Sequence, residues 1–315
     1  MTTQTIPVLD LQDFAGGNSQ KADRFVQDLG TALHQIGFFA LINHGVEPKM
    51  IQSAYNAAEA FFALPDSVKD QYEIAELGGQ RGFTQFGKEH AKDSEAPDLK
   101  EFWHVGREKP VAHPVDYPDN IWPREVPQFR SVMATLFEEL ETCASSLMMA
   151  CAQYLQQPTD FFATQVEEGQ TILRVIHYPP VTEDRTPNSQ RAAPHEDINL
   201  ITLLCEATTP GLELLKADGE WLPIEPIPGQ IIVDTGDMLQ ALSNGLLKST
   251  THRVVNPDSS RDRRFSMPFF VHPRPDFDLT PLPACVEQTG GRAIYPEETA
   301  AEALEKRLKE IGLIS

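Results

Sequence analysis

The chain has 315 residues, 41% of them hydrophobic, and a formal charge of −20 from 46 acidic against 26 basic residues. That length buries a large core as one domain or two. The acidic balance argues against nucleic acid or an anionic membrane as the main partner. No apolar run reaches the ~20 residues of a membrane span, and residues 1–7 lack a basic segment followed by an apolar one. The four cysteines, Cys143, Cys151, Cys205 and Cys285, have no C-x-x-C spacing and read as reduced thiols of a cytoplasmic protein.

Taken in order, residues 6–11 predict a short strand. Phe25, Leu29, Ala32, Leu33 and Ile36 recur at helical spacing and predict a helix over 18–36. Gly37 ends it, and the apolar run 38–43 is a compact strand closed by His44-Gly45. A second helix over 48–64 turns Phe61 and Phe62 to the core and stops at Pro65. These junctions carry no phosphate-cradling glycine loop, so a nucleotide-binding domain is not expected. Between 76 and 127, recurrent Gly and Pro predict loops with short strands. Loops often carry function; Arg81, Phe83, Phe102 and Trp103 are read either as pocket walls or as core packing. A long helix follows over 129–155, with Leu136, Leu140, Leu147 and Met148 available for burial.

Beyond Thr171 the pattern changes to short apolar runs at 171–178, 198–205, 212–215, 230–234, 238–242, 251–255 and 265–271. Short strands at this spacing predict a sandwich or jelly roll rather than a parallel α/β sheet. Residues 297–311 predict a charged amphipathic helix on the outside. The expected organisation is mainly β with flanking helices. A region 1–120 of α/β character packs on 121–315, which holds a jelly-roll core at about 170–275, the whole forming one compact unit.

The chemistry concentrates at Pro194-His195-Glu196-Asp197. His195 and Asp197 stand at i and i+2, which on an extended strand turns both to one face. His252 is the best third ligand; the 55 residues after Asp197 let the chain cross a sandwich and return. Two His and one carboxylate leave coordination positions open, as in non-heme Fe(II) oxygenases. Arg264 and Ser266 share a strand face. A buried Arg is costly without an anion, so this pair either holds the far carboxylate of a small dicarboxylic acid or forms an internal salt bridge. Pro268, Phe270 and His272 share that face, which puts Phe270 on the cavity wall. Arg174 shares a face with Ile172, Ile176 and Tyr178, and is a second cavity cation or an exposed edge residue. A metal-binding jelly roll without activity is the competing class.

Several ordered segments carry a family resemblance. Ile6-Pro7-Val8-Leu9-Asp10, Gly37-Phe38-Phe39, Asn43-His44-Gly45-Val46, the run from Leu173 to Pro180, the segment after His195, Gly236-Asp237-Met238, Ser243-Asn244-Gly245 and the stretches around His252 and Arg264 together resemble the isopenicillin N synthase-like branch of Fe(II)/2-oxoglutarate-dependent oxygenases. The resemblance covers most of the chain. It implies a double-stranded β-helix core and Fe(II) on His195, Asp197 and His252. It further implies 2-oxoglutarate held by Arg264, Ser266 and Tyr178, and O2 as the oxidant. The implied reaction oxidises, most commonly hydroxylates, a small molecule and releases succinate and CO2. No nucleic acid or membrane partner is implied, and a monomer is expected. Arg174, Phe270, Arg81, Phe83, Phe102 and Trp103 would line the substrate pocket. Many plant members have Asn where Ile176 stands; that Asn helps hold the metal-proximal end of the co-substrate. Two relatives of the family act without 2-oxoglutarate and keep the Arg-x-Ser pair, so a 2-oxoglutarate-independent oxidase is the alternative. One of them, the synthase, has a Gln near its C-terminus, which residues 309–315 here lack.

Overall fold

Side-chain caps set the first turns. In the computed structural model, which describes residues 6–90, 96–108, 117–180, 189–256 and 262–311, β1 (Val8–Asp10) runs straight into α1 (Leu11–Ala15). The Asp10 carboxylate accepts the Gln12 N–H there. Asn18 caps α2 (Ser19–Gln35) by accepting the Lys21 N–H, and the stripe Phe25, Val26, Leu29 and Leu33 is buried. β2 (Phe38–Ile42) returns beside β1, and α3 (Pro48–Phe62) starts on a proline whose missing N–H costs nothing at that position. After α4 (Asp66–Lys69), β3 (Gly82–Thr84) and β4 (Glu101–Gly106) form a hairpin-like pair. The long α5 (Phe129–Tyr154) and short α6 (Ala163–Glu167) precede the strand-rich half.

That half contains β5 (Ile172–Tyr178), β6 (Ala192–His195), β7 (Ile201–Cys205), β8 (Leu212–Leu215), β9 (Trp221–Ile224) and β10 (Ile231–Thr235). It continues through α7 (Asp237–Leu242), β11 (His252–Val254), β12 (Arg264–Val271), α8 (Pro283–Gln288) and α9 (Ala300–Glu310). The larger sheet has the order β1-β2-β10-β7-β12-β5-β4-β3 and the smaller β6-β11-β8-β9. A cavity lined from both sheets lies between them. With helices on the outer face of the larger sheet, this is the jelly-roll core with flanking helices that the strand spacing predicts.

Alternation on the larger sheet separates the core from the cavity. Phe265, Met267, Phe269 and Val271 of β12 turn to the helices and join Leu173, Val175, Trp103, Phe129, Leu136 and Phe61 in the main core. Phe137 of α5 meets Phe269 edge-on, with ring centroids 4.9 Å apart. The alternate residues Arg264, Ser266, Pro268 and Phe270 face the cavity. None of the helices among the described residues is long and apolar enough to cross a membrane.

Two local expectations change. Residues 238–242 are not a strand: Asp237–Leu242 is α7, with Met238, Leu239, Ala241 and Leu242 buried. A short apolar run fits a buried helix turn as well as a strand, and periodicity does not separate them. The strands β6 and β9 lie in segments whose Pro and polar residues hide the pattern.

α2 crosses α5 where Gly30 lies against Tyr154. A Cβ on Gly30 would sit 2.0 Å from the Tyr154 ring. Gly30→Ala is therefore expected to destabilise the protein by about 1–3 kcal/mol through overpacking, measured by urea denaturation; unchanged stability would show that this contact is loose.

Candidate active site

The smaller sheet brings two histidines face to face. β11 pairs antiparallel with β6 so that His252 lies directly opposite His195, with ring centroids 4.4 Å apart. His195 Nδ1 donates to the Ala193 carbonyl at 2.7 Å and His252 Nδ1 to the Thr250 carbonyl at 3.1 Å. Both Nε2 lone pairs are thereby left for another partner. β6 ends at His195, so Asp197 lies in the following turn rather than on the strand. It still reaches the same point: Oδ1 stands 3.8 Å from each Nε2.

The turn is held by backbone bonds from the start of α7. Asp237 N–H donates to the Asp197 carbonyl at 2.7 Å, and Met238 N–H to the Asn199 carbonyl at 3.1 Å. Gly236 allows that approach, since a Cβ there would lie 2.1 Å from the Asn199 carbonyl oxygen. Thr202 donates its hydroxyl to Asp197 Oδ2. Burial would push the Asp197 carboxyl up, but His252, His195 and Thr202 outweigh it and hold it below its ordinary value. Desolvation, then the facing His252, pushes His195 down to about 4. The result is two imidazole nitrogens and a carboxylate whose donor atoms all lie within 4.8 Å of one another. That donor set fits a first-row divalent ion such as Fe(II) with positions left open.

The inner cavity continues from these residues to the far end of β12. Arg264 is 1% exposed there. Its Nε donates to the Thr209 carbonyl at 3.1 Å, and its carbon lies 5.0 Å from the Tyr178 ring centre. Nη1 is buried and has no hydrogen-bond partner among the described residues. Ser266 and Tyr178 line the same cavity, Tyr178 directly across from Arg264 in the β5–β12 register. No internal salt bridge to Arg264 occurs among the described residues. Ile176 also faces this cavity, so an apolar side chain stands where many plant members carry Asn. Asp234 lies on the same wall, its carboxyl pushed well up by burial and by Asp197.

A second cavity, of about 110 Å³, opens outward from His195 and Asp197 between the larger sheet and α9. Arg174 and Phe270 line it. Arg174 lies 4.3 Å from the Phe102 ring centre and 5.3 Å from that of Phe270.

The comparisons with known proteins decide the family. Residues 169–273 match the model of the 2OG-Fe(II) oxygenase superfamily, and residues 6–125 match that of the non-haem dioxygenase in morphine synthesis N-terminal region. The chain belongs to the 2OG-Fe(II) oxygenase superfamily. It is 30% identical to the 2-oxoglutarate-Fe(II) type oxidoreductase hxnY of Emericella nidulans over 316 residues, covering 96% of this chain and 89% of the relative. A 2OG-Fe(II) oxygenase family protein from Caulobacter crescentus has a solved structure with 40% identity and TM-score 0.85, covering 98% and 99% of the two chains. A full-length protein from Neurospora crassa, solved with alpha-KG and with alpha-KG and thymine, has 26% identity and TM-score 0.86 over 98% and 97%. This oxygenase is thus an enzyme that depends on Fe(II), 2-oxoglutarate and O2 and acts on a small molecule.

Within the oxygenase, three residues read as pocket walls lie elsewhere. Phe83 and Trp103 face the helices, Trp103 fully buried with its ring 4.8 Å from Phe61. They are cross-strand partners on β3 and β4, so one alternation sends both to the core. Arg81 bonds the Gln80 carbonyl, and its guanidinium lies over Gly106, outside both cavities. Phe102 faces inward but packs with Ile176, Tyr178, Ala192 and Val254, beneath Arg174 instead of at the cavity surface. α9 does not simply cover the outside: Leu304, Arg307, Leu308 and Ile311 form one side of the outer cavity. Arg307 ties α9 down by bonding Asp237 Oδ2 at 2.5 Å and the Glu196 carbonyl at 3.1 Å.

Sequence reasoning missed Glu89, Lys100 and His104, which are buried and line the outer cavity together with His272, the residue it had placed on the face of Arg264. His104 donates Nδ1–H to the Gly79 carbonyl at 2.6 Å and accepts Arg174 Nε at 2.6 Å on Nε2; burial and Arg174 keep it well below its ordinary value. Period 2 on β4 would have found His104. Nothing in the loop sequence signals Glu89 or Lys100.

Burial pushes His272 down to about 4, as desolvation does His195. The unfolded chain takes up these protons near pH 6.5 and the folded chain only near 4, so stability falls as pH is lowered through that window. Urea titrations of the metal-free protein at stepped pH should show this loss, with a shallower slope in His272→Gln; an equal slope in the variant would remove His272 from the account.

Proposed function

We propose that His195, Asp197 and His252 hold Fe(II), and that Arg264, Ser266 and Tyr178 receive the distal carboxylate of 2-oxoglutarate. The enzyme would hydroxylate a small molecule seated beside Arg174 and Phe270, with release of succinate and CO2. The observation that carries this reading is the buried Arg264 Nη1 without a hydrogen-bond partner among the described residues, in the cavity whose other end is the histidine–aspartate cluster. A buried cation lacking its counter-charge is costly, and a carboxylate presenting two oxygens to the guanidinium would satisfy it.

Bound Fe(II) and 2-oxoglutarate supply the oxidising chemistry, in which decarboxylation of the keto acid by O2 is coupled to attack on a substrate C–H bond. The chain's own contribution is position. The Ala193 and Thr250 carbonyls fix the tautomer and tilt of the two imidazoles. Thr202 and α7 fix Asp197. Arg264 and the neighbouring hydroxyls of Ser266 and Tyr178 set how deep the co-substrate enters.

We assign the enzyme to the cytoplasm without nucleic acid or membrane partners, supported by its net charge of −20 and its buried, unpaired cysteines. Residues 1–120 and 121–315 are proposed to act as one unit, supported by β1 to β4 lying in the same sheet as β5, β7, β10 and β12.

Arg264→Ala should weaken 2-oxoglutarate binding by on the order of 30-fold or more, the cost of truncating one side of a buried charge pair, while Fe(II) affinity is unchanged. Calorimetric titration measures both. Succinate formation should then fall at subsaturating 2-oxoglutarate and recover in part at high concentration. Unchanged affinity would remove Arg264 from this role.

A further inference from the structure

The outer cavity carries charges that already match one another. Glu89 Oε1 receives Arg174 Nη1 at 3.0 Å and Lys100 Nζ at 2.6 Å, and Lys100 also reaches Asp98 Oδ2 at 2.8 Å. Arg307, at the rim, is engaged by Asp237, and Glu196 by the Thr251 hydroxyl. Among the described residues, an entering carboxylate or phosphate would find no uncommitted cation and would meet Glu89 and Asp98. An entering cation would find both carboxylates engaged and would meet Arg174 and Lys100. Either would lose its hydration without a new counter-charge.

Two polar groups are left over. Glu89 is 6% exposed, lines the cavity, and its Oε2 is buried with no hydrogen-bond partner among the described residues. Arg174 spends Nε on His104 and Nη1 on Glu89, and its Nη2 makes no hydrogen bond among the described residues. An acceptor and a donor thus stand on two residues that touch each other, beside the ring of Phe270. The edge of an amide, with its N–H next to its C=O, is their complement.

We propose that the substrate is an uncharged amide or lactam, its N–H donating to Glu89 Oε2 and its carbonyl accepting from Arg174 Nη2, with its carbon skeleton against Phe270. This rests on the oxygenase reading of the site and adds the substrate class to it. The carboxylate of Glu89 rejects acids, and the two cations reject amines and amidines.

Three probes of one shape and different charge test it: benzamide, benzoate and benzamidine. Each is titrated calorimetrically and without oxygen into the protein loaded with Fe(II) and 2-oxoglutarate, after uptake of 2-oxoglutarate has been measured in the same cell. Benzamide should bind at least about tenfold more tightly than either charged analogue, because only it leaves no buried group unpaired. Glu89→Gln, which unbalances Arg174 and Lys100, should weaken benzamide and strengthen benzoate. Equal or tighter binding of benzoate or benzamidine to the wild-type protein overturns the assignment, as does no benzamide binding at millimolar concentration while 2-oxoglutarate binds. These wild-type results stand even where the variant fails to fold. Failure of 2-oxoglutarate itself to bind would take down the oxygenase reading and this inference with it.

Discussion

The structure depends on two imidazoles forced against each other across a β-ladder. His195 and His252 occupy opposite positions in the β6–β11 pairing, and backbone carbonyls hold both Nδ1 protons turned away from the gap. Burial, and then the His252 ring 4.4 Å away, push the His195 imidazole below its ordinary value. The inward lone pairs of the two rings and Asp197 Oδ1 therefore present electron density to a single point, which a divalent cation resolves. The surroundings follow from that constraint. Gly236 and the start of α7 brace the turn carrying Asp197, and Thr202 takes the oxygen that faces away.

One strand then links this point to the rest. β12 gives its odd-numbered side chains from Phe265 to Val271 to the hydrophobic core and its even-numbered ones from Arg264 to Phe270 to the cavity. The stability of the sheet and the placement of the buried guanidinium thus come from the same eight residues. A rigid, core-packed strand holds a charged group with less freedom than a loop would. On the neighbouring β5 the same division places Arg174, Ile176 and Tyr178 inward. The acidic protein surface does not determine the cavity, whose cations and carboxylates balance locally.

What was legible in the sequence follows from these periods. Helices at 19–35, 48–62 and 129–154 have long apolar stripes, and their extents are close to the predicted ones. His195, Asp197, His252, Arg264, Ser266 and Tyr178 stood out because strand alternation and the ordered motifs agree on them, and the fold places all six around one cavity. Asp197 reaches it from a turn, for which the i, i+2 spacing gave the right neighbour by the wrong geometry. Legibility was lowest where only three-dimensional packing decides. Trp103 and Phe102 are adjacent and both aromatic, and only the register of β4 on β5 says which one enters the core. Glu89 and Lys100 are ordinary charged loop residues until Arg174 and Asp98 are placed beside them. The inward contact of α9 likewise depends on Arg307 meeting the turn between the two candidate ligands, a partner 111 positions away.

The central claim is that this donor cluster and the distant guanidinium together receive Fe(II) and 2-oxoglutarate as one unit. Its most direct test is spectroscopic: Fe(II), then 2-oxoglutarate, added without oxygen to the metal-free protein and to Asp197→Ala. A keto acid chelating iron through positions left open by the protein gives a visible charge-transfer band. The account predicts that band in the wild-type protein and its absence in the variant. Iron binding without a band in the wild type, or an undiminished band in Asp197→Ala, would contradict it.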